Sequence, residues 1–229
     1  MTRKRARGLF ITGTDTDVGK TYVATRIARQ LGERGHKVGA YKPASSGCRR
    51  DGERLIADDA EELLRAIGGQ LTAEEICPQR FAAPLAPHLA AAAEGRFLDK
   101  PLLRSGLQPC AAGCEVVIVE GAGGLLSPLG DELVADLAGD FRYPLVVVAR
   151  NSLGAINQVL QTLLAAENYR NGLSVAAVVL SATRLDAGDL SRASNAAELR
   201  GRCNVPIVEL AHGAAQFEPS IDWLALAGG

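Results

Sequence analysis

The sequence predicts an α/β protein, a three-layer α/β/α fold built on a mostly parallel central sheet. Six apolar runs of four to six residues are rich in Val, Ile and Leu and show little polar alternation, as in strands that are covered on both faces. Longer helix-like stretches separate several of these runs, and such alternation is typical of parallel strands joined by right-handed crossovers. The predicted strands are residues 9–12, 38–41, 116–119, 145–149, 175–180 and 207–210.

The helix predictions follow the same reading. Helical periodicity predicts helices at residues 21–34, 54–67, 154–169 and 190–202. The Ala- and Pro-rich region 80–113 is predicted to be mostly helical, with Pro84 and Pro87 breaking it, and to cover the mouth of a site. No repeat or linker interrupts the chain, so residues 1–229 are predicted to form a single domain.

The composition limits the classes of function. Hydrophobic residues make up 47% and charged residues 22%, as in ordinary globular proteins. The formal net charge of −1 argues against long nucleic acid as a partner, because phosphate contacts usually require a basic protein. The five cysteines are dispersed, without a C-x-x-C pair, so we expect reduced thiols and neither a disulfide framework nor a zinc site.

The N-terminus begins with four basic residues in its first seven, but a strand-like run follows them. A signal peptide would need a longer apolar stretch there. Nowhere does the sequence approach the roughly 18 apolar residues of a membrane span. We therefore expect a cytoplasmic protein without membrane partners.

A glycine-rich loop between the first predicted strand and helix is the sharpest motif. It reads Gly13-Thr-Asp-Thr-Asp-Val-Gly-Lys-Thr21, and its context is that of a P-loop, which predicts a P-loop NTPase-like fold. In such a loop, backbone N–H groups bind phosphate oxygens, Lys20 reaches the β- and γ-phosphates, and the Thr21 hydroxyl ligates Mg²⁺. The spacing is one residue longer than the strict motif, which leaves open a plain strand-to-helix turn with Gly19 packing inside it.

Two acidic positions are candidates for the metal. Glu120 ends a predicted strand and precedes Gly121-Ala-Gly-Gly124, at the crevice where α/β sheets bind ligands. Asp58 and Asp59 begin a predicted helix. The alternatives are a solvated cap beside a flexible turn for Glu120, and ordinary helix-dipole charge for the aspartate pair.

Four motifs together resemble the dethiobiotin synthetases, ATP-dependent enzymes of biotin biosynthesis. Each is similar to a family segment, and the resemblance runs from about residue 8 to residue 180. The motifs are the long phosphate loop at 12–21, Tyr-Lys-Pro-Ala-Ser-Ser-Gly at 41–47, Val-Glu-Gly-Ala-Gly-Gly-Leu-Leu-Ser-Pro at 119–128, and Leu-Gly-Ala-Ile-Asn at 153–157.

The resemblance implies that 7,8-diaminopelargonate reacts with CO₂ and ATP to give dethiobiotin, ADP and phosphate, through a carbamate and its phosphorylated anhydride. It implies that Lys42, with Lys20, is catalytic, and that Thr16 and Ser46 bind substrate. Both lysines would converge on the reacting charge if the ends of the first two strands are neighbours. We expect Lys42 to be an exposed lysine at a strand end.

The resemblance also implies the ligand sets and a homodimer. Thr21, Asp59 and Glu120 would hold Mg²⁺, with Asp59 preferred because Asp59-Ala60 matches the family. The helix start of one subunit would meet the substrate carboxylate of the other through Leu153, Gly154 and Asn157. The nucleotide-binding set comprises Asp17, Val18, Gly19, Lys20, Thr21, Tyr22, Asp59, Glu120, Gly121, Ala122 and Gly123.

Two segments depart from the family pattern at the nucleotide base. Ser181-Ala182 replaces a usual asparagine, and Ala211-His212 replaces a usual proline. We therefore expect weak discrimination between ATP and other triphosphates.

Two alternatives stand beside this interpretation. A regulatory or partitioning-type ATPase usually has a second lysine early in the loop, where this chain has Asp15. A related domain of amide-forming cobalamin enzymes usually lies in a longer chain.

Overall fold

The computed structural model describes residues 5–69, 71–182 and 188–228, so Arg3 and Lys4 of the basic N-terminus lie outside the described residues. The strands are β1 (Arg7–Gly13), β2 (Val38–Tyr41), β3 (Ala44–Ser45), β4 (Arg49–Asp51), β5 (Arg54–Ile56), β6 (Gln79–Arg80), β7 (Val116–Gly124), β8 (Pro128–Leu129), β9 (Glu132–Leu133), β10 (Leu145–Arg150), β11 (Val175–Ser181) and β12 (Ile207–Leu210). The helices are α1 (Lys20–Glu33), α2 (Asp58–Ile67), α3 (Ala73–Ile76), α4 (Pro87–Ala93), α5 (Lys100–Ser105), α6 (Leu107–Ala111), α7 (Val134–Phe141), α8 (Ala155–Asn168), α9 (Arg192–Arg200) and α10 (Trp223–Leu226).

The central sheet contains six strands in the order β12-β11-β10-β1-β7-β2. All five neighbouring pairs are parallel. The predicted three-layer α/β/α fold is therefore confirmed, and each of the six predicted strands is present with its centre in place.

Successive side chains along the strands of the sheet pack into two separate hydrophobic cores, one on each face. Leu9 and Ile11 of β1 pack on one face with α1 and α2, whereas Phe10 packs on the other face with α7 and α8. These side chains are fully buried, which explains why the strands show no polar alternation in the sequence.

Strand β7 lies between β1 and β2, so the first two strands of the chain are not neighbours. In register, Phe10 of β1 faces Val119, and Tyr41 of β2 faces the same residue from the other side. Glu120 follows Val119, pairs with Ile11 of β1 and lies just beyond the end of β2. The prediction that Glu120 ends its strand is wrong, because β7 continues through the glycines and pairs with β1 as far as Gly124.

The prediction of a helix at 54–67 is wrong over its first residues. Residues 54–56 form β5, which pairs with β4 in an antiparallel hairpin, and the helix begins only at Asp58. Gly52 in the connecting turn has φ 60°, a conformation that glycine adopts readily. In the Ala-rich region, Pro87 begins α4 at its first turn and does not interrupt a helix.

Two further expectations concern the chain as a whole. Within the described residues no helix is long and apolar enough to cross a membrane. All five cysteines are free thiols in the structure.

Candidate functional site

The loop between β1 and α1 is folded around the side chain of Lys20. Its Nζ donates to the carbonyl oxygen of Asp15 at 3.0 Å. Asp17 and Gly19 have φ values of 56° and 98°, which turn the loop back before the helix begins. A Cβ on Gly13 would lie 2.6 Å from the Asp15 carbonyl oxygen, so the start of the loop tolerates only glycine.

A cavity of about 420 Å³ opens beside this loop at the carboxyl edge of the sheet. Most of the predicted site residues share its wall. The lining residues are Thr16, Asp17, Gly19, Lys20, Thr21, Tyr22, Lys42, Ala44, Ser45, Ser46, Asp59, Glu120, Ala122, Gly123 and Arg150.

Four side chains form a cluster at the cavity. They come from α1, α2, β7 and the residue after β2. Lys42 Nζ lies 2.5 Å from Glu120 Oε1 and 2.8 Å from Asp59 Oδ2. The Thr21 hydroxyl oxygen lies 2.8 Å from Asp59 Oδ1 and 2.9 Å from Glu120 Oε1. Residues distant in sequence thus meet because β7 carries Glu120 between Lys42 and the phosphate loop.

Lys42 is buried and ion-paired, so the expectation of an exposed lysine is wrong. Only 4% of the residue is exposed. The prediction missed this because Glu120 and Asp59, which pair with Lys42, come from segments that are distant from it in the sequence.

The electrostatics of the cluster follow from burial and from the paired charges. Burial opposes the charged form of Lys42, but Glu120 and Asp59 outweigh it and raise its pKa above the usual value. Lys42 lowers the pKa of Asp59, whereas burial raises the pKa of Glu120. Burial, together with the charge of Lys42, lowers the pKa of Lys20. Lys42 is thus the more firmly protonated of the two lysines.

The oxygen atoms of Thr21, Asp59 and Glu120 fit a magnesium ion. Glu120 is fully buried, and its Oε2 has no hydrogen-bond partner within the described chain, which leaves one acceptor for a cation. Mg²⁺ prefers oxygen ligands and keeps a few waters, and it is commonly shared with substrate phosphates. The parts of the chain that the structure describes contain no group of three or more His, Cys, Asp or Glu side chains that could hold a metal. Phosphate and water oxygens would therefore complete the coordination.

Five predicted residues lie outside the cavity. Val18 is buried in the core with α1 and α2. Gly121 packs against Val134 and Phe10, although its carbonyl oxygen accepts a 3.5 Å hydrogen bond from Lys42. The remaining three, at the start of α8, are exposed on the surface of this single chain: Leu153, Gly154 and Asn157.

Sequence reasoning missed three lining residues, namely Ala44, Ser45 and Arg150. Arg150 is the last residue of β10, so the strand-end argument that selected Glu120 would also have selected it. The two others lie in the motif at 41–47, from which only Lys42 and Ser46 were selected.

The segments that depart from the family pattern lie at the ends of β11 and β12. Ser181 is fully buried and its hydroxyl has no hydrogen-bond partner among the described residues. The Tyr22 hydroxyl lies 3.2 Å from the carbonyl oxygens of Ala211 and Ala214, which ties the segment after β12 to α1.

The chain is similar to known proteins in both sequence and fold. Residues 7–212 match a family model described as an AAA domain. Among solved structures, the signal recognition particle receptor FtsY from Elizabethkingia anophelis superposes with a TM-score of 0.55 at 18% identity, over 97% of this chain and 64% of that chain. The chain spans less than two thirds of that receptor, and the likeness shows the shared fold alone.

Much closer relatives exist among the ATP-dependent dethiobiotin synthetases BioD. The Rhodopirellula baltica protein is 41% identical, over 87% of this chain and 81% of its own length. The Anaeromyxobacter dehalogenans (strain 2CP-C) protein is 46% identical over 84% of both chains, and the Bacillus subtilis (strain 168) protein is 36% identical over 88% and 85%. The chain therefore belongs to the dethiobiotin synthetase family.

Proposed function

We propose that this protein is an ATP-dependent dethiobiotin synthetase, which closes the ureido ring of dethiobiotin from 7,8-diaminopelargonate, CO₂ and MgATP. The observation that carries the proposal is the convergence of four side chains beside the phosphate loop, in which Lys42 and Thr21 each contact both Asp59 and Glu120 at 2.5–2.9 Å. Family membership supplies the substrates, and the cluster supplies the charges that the reaction requires.

The proposed reaction has three steps. One amine nitrogen attacks CO₂ and loses a proton, which gives a carbamate. A carbamate oxygen then attacks the γ-phosphorus of ATP, and ADP leaves. The second amine attacks the activated carbonyl carbon, phosphate leaves with the bonding electrons, and the new C–N bond closes the ring as that nitrogen loses a proton to phosphate or water.

Lys42 acts in this scheme as a fixed positive charge. Its pKa is raised by Glu120 and Asp59, so it holds its proton at neutral pH and does not act as a general base. Charge builds up on the carbamate and phosphoryl oxygens in the transition state, and a buried, oriented cation stabilises such charge strongly. Lys20, held by the Asp15 carbonyl, would bind the β- and γ-phosphates.

Thr21, Asp59 and Glu120 would hold Mg²⁺, which neutralises phosphate charge and orients the γ-phosphoryl group when bound. Thr16 and Ser46 line the same cavity and would face the diamine. Asp17, Gly19, Tyr22, Ala122 and Gly123 would bind the nucleotide through the loop and the adjoining wall.

A homodimer would complete the substrate site. Leu153 is 84% exposed, and Gly154 and Asn157 beside it are exposed as well. Backbone N–H groups at the start of a helix bind carboxylates, so the start of α8 in one subunit would hold the substrate carboxylate in the other.

The direct test measures ADP and phosphate release from MgATP and bicarbonate, with and without 7,8-diaminopelargonate. Diamine-dependent release, with dethiobiotin as product, is the expected result. ADP and phosphate release that does not depend on the diamine, or no release at all, would favour a regulatory ATPase instead.

A matched pair of variants tests the metal-binding carboxylates. Asp59→Asn should lower activity and raise the Mg²⁺ concentration needed for half-maximal activity, because Asp59 belongs to the central cluster. Asp58→Asn is the control, since Asp58 lies beside it but pairs with the exposed Arg49. Equal effects of the two changes would contradict the assigned metal site.

A further inference from the structure

Arg150 is a cation in the cavity wall that neither the sequence motifs nor the proposed chemistry uses. It ends β10, the strand next to β1 on the side away from β7. Lys42 follows β2, which lies on the other side of β1, beyond β7. The cavity thus has a cation at each side and Lys20 between them.

The guanidinium of Arg150 is only partly satisfied by the chain. Its Nη2 donates to the carbonyl oxygen of Asp17 at 2.7 Å. Its Nε is buried and has no hydrogen-bond partner among the described residues. No carboxylate lies within ion-pair distance of it in the described parts of the chain, whereas Lys42 has two.

A partly buried cation without a counter-charge costs free energy unless a ligand supplies the negative charge. The cavity that Arg150 lines is the one whose loop and metal-binding residues suit a polyphosphate. Arginine matches phosphate geometry well, because its planar group presents several N–H donors at once. The counter-charge for Arg150 is therefore best supplied by the phosphate chain itself.

The position of Arg150 also determines which phosphates of the nucleotide it would contact. The reacting end of the nucleotide belongs with Thr21, Glu120 and Lys42, beyond β1. Arg150 lies on the other side of the phosphate loop and holds Asp17, the residue of that loop with φ 56°. It is therefore placed for the phosphates that stay on the nucleotide and not for the group that is transferred.

We propose that Arg150 is a further nucleotide-binding residue, which contacts the non-transferred phosphates and fixes the phosphate loop through Asp17. The proposal rests on the proposed function, because it deepens the MgATP site. Arg150 sets the affinity for nucleoside di- and triphosphates and leaves the chemical step largely to Lys42.

The test is calorimetric binding of MgADP, MgATP and adenosine to wild-type protein and to Arg150→Gln. Glutamine keeps an N–H donor for the Asp17 carbonyl but removes the charge. We expect MgADP and MgATP to bind about 10- to 100-fold more weakly, the range for loss of a charge-assisted hydrogen bond. Adenosine affinity should not change, whereas a merely structural role would lower the affinity for all three ligands alike.

Arg150→Lys should restore part of the affinity, because it returns the positive charge. Arg29→Gln is the matched control, since Arg29 is exposed on α1 and the change alters the net charge equally. In the diamine-dependent assay, Arg150→Gln should raise the KM for ATP and change kcat little. Unchanged affinity for MgADP and MgATP, or a fall in kcat alone, would overturn the proposal.

Binding is measured without the diamine, so the result does not depend on dethiobiotin formation. If the protein bound MgATP through Arg150 but made no dethiobiotin, the proposed function would fail and this inference would stand.

Discussion

Two groups of predicted site residues lie at the carboxyl edge of the same sheet, and they differ in how far the chain itself covers them. The cluster of Lys42, Asp59 and Glu120 makes contacts of 2.5–2.8 Å, and Lys42 and Glu120 are almost completely buried. The start of α8 has no such cover, and Leu153 is 84% exposed. The difference shows that the chain alone fixes the positions of the cluster side chains, whereas it leaves the start of α8 open to contact from outside.

The largest effect should come from breaking the buried cluster. Lys42→Met should lower kcat about 100- to 1,000-fold, because an oriented charge is lost from the transition state. It should also lower the free energy of unfolding by about 3–5 kcal/mol, since Glu120 is left buried without its partner. Steady-state kinetics and urea unfolding measure the two effects.

Two further variants separate those effects. Lys37→Met is the matched control, because Lys37 is exposed near the other end of β2. The double variant Lys42→Met/Glu120→Gln should regain stability without regaining turnover. If turnover returned with stability, Lys42 would be a structural residue.

A smaller effect should follow from changing the exposed group. Leu153→Glu should lower kcat/KM for the diamine about 10- to 100-fold, because it places a negative charge where the substrate carboxylate is expected. MgATP affinity should stay unchanged, since Leu153 lies outside the cavity of the same chain. Phe97→Glu, at a residue that is 93% exposed, is the control.

Mixing the two impaired proteins, at a low concentration of the diamine, tests whether sites are shared. In random dimers of Lys42→Met and Leu153→Glu chains, half of the molecules are mixed, and each mixed dimer has one intact site. About a quarter of wild-type activity should return, as the two-fold symmetry requires. Sites contained within one chain would give no recovery.

A still smaller effect is expected at the nucleotide base. No amide side chain stands at positions 181 and 182, so the preference for ATP over CTP in kcat/KM should stay below about 100-fold. Ala182→Asn should raise that preference about 2- to 10-fold, the value of one hydrogen bond. Ala182→Leu adds bulk without donors and should not raise it. A wild-type preference above the limit would contradict the expectation.

The smallest effect concerns a group of ion pairs around Glu74, outside the cavity. Glu74 binds Arg54 and Arg80 at 2.8 and 3.0 Å, and their hydrogen bonds lower its pKa to about 2. A depressed carboxyl pKa stabilises the fold above the unfolded value of about 4.3 and loses this effect as pH falls toward the folded value. Glu74→Gln should cost about 0.5 kcal/mol at neutral pH, because these ion pairs are largely exposed.

The measurement is urea unfolding of both proteins between about pH 7 and about pH 3. The difference in unfolding free energy should shrink as the pH falls. If the difference in unfolding free energy stayed constant with pH, the ion pairs of Glu74 would not be its cause.

The sequence sufficed for the six strands of the central sheet and for the phosphate loop, because burial on both faces and glycine-lysine-threonine spacing are local signals. It did not show that β7 enters between β1 and β2, since strand order depends on contacts between distant segments. For the same reason it did not show that Lys42 is buried. The hairpin at 49–56 was missed because its strands are short and charged, although Asp51-Gly52 signals a turn.

Among the site residues, local sequence selected those with a motif and passed over the rest. Arg150 belongs to no motif, and its role depends on a 2.7 Å contact with a loop more than a hundred positions earlier. Val18 and Gly121 lie inside motifs, yet their side-chain positions face the core. A motif therefore marks a segment, whereas the fold decides which of its residues face the ligand.

The position of β7 also bears on how the site comes into being during synthesis. Strands β1 and β2 leave the ribosome early, but they share no hydrogen bonds and meet only through β7. A nascent chain cannot form the four-residue cluster until Glu120 has emerged and β7 has paired with both strands. Nucleotide bound through this cluster can therefore stabilise the folding chain only after that pairing.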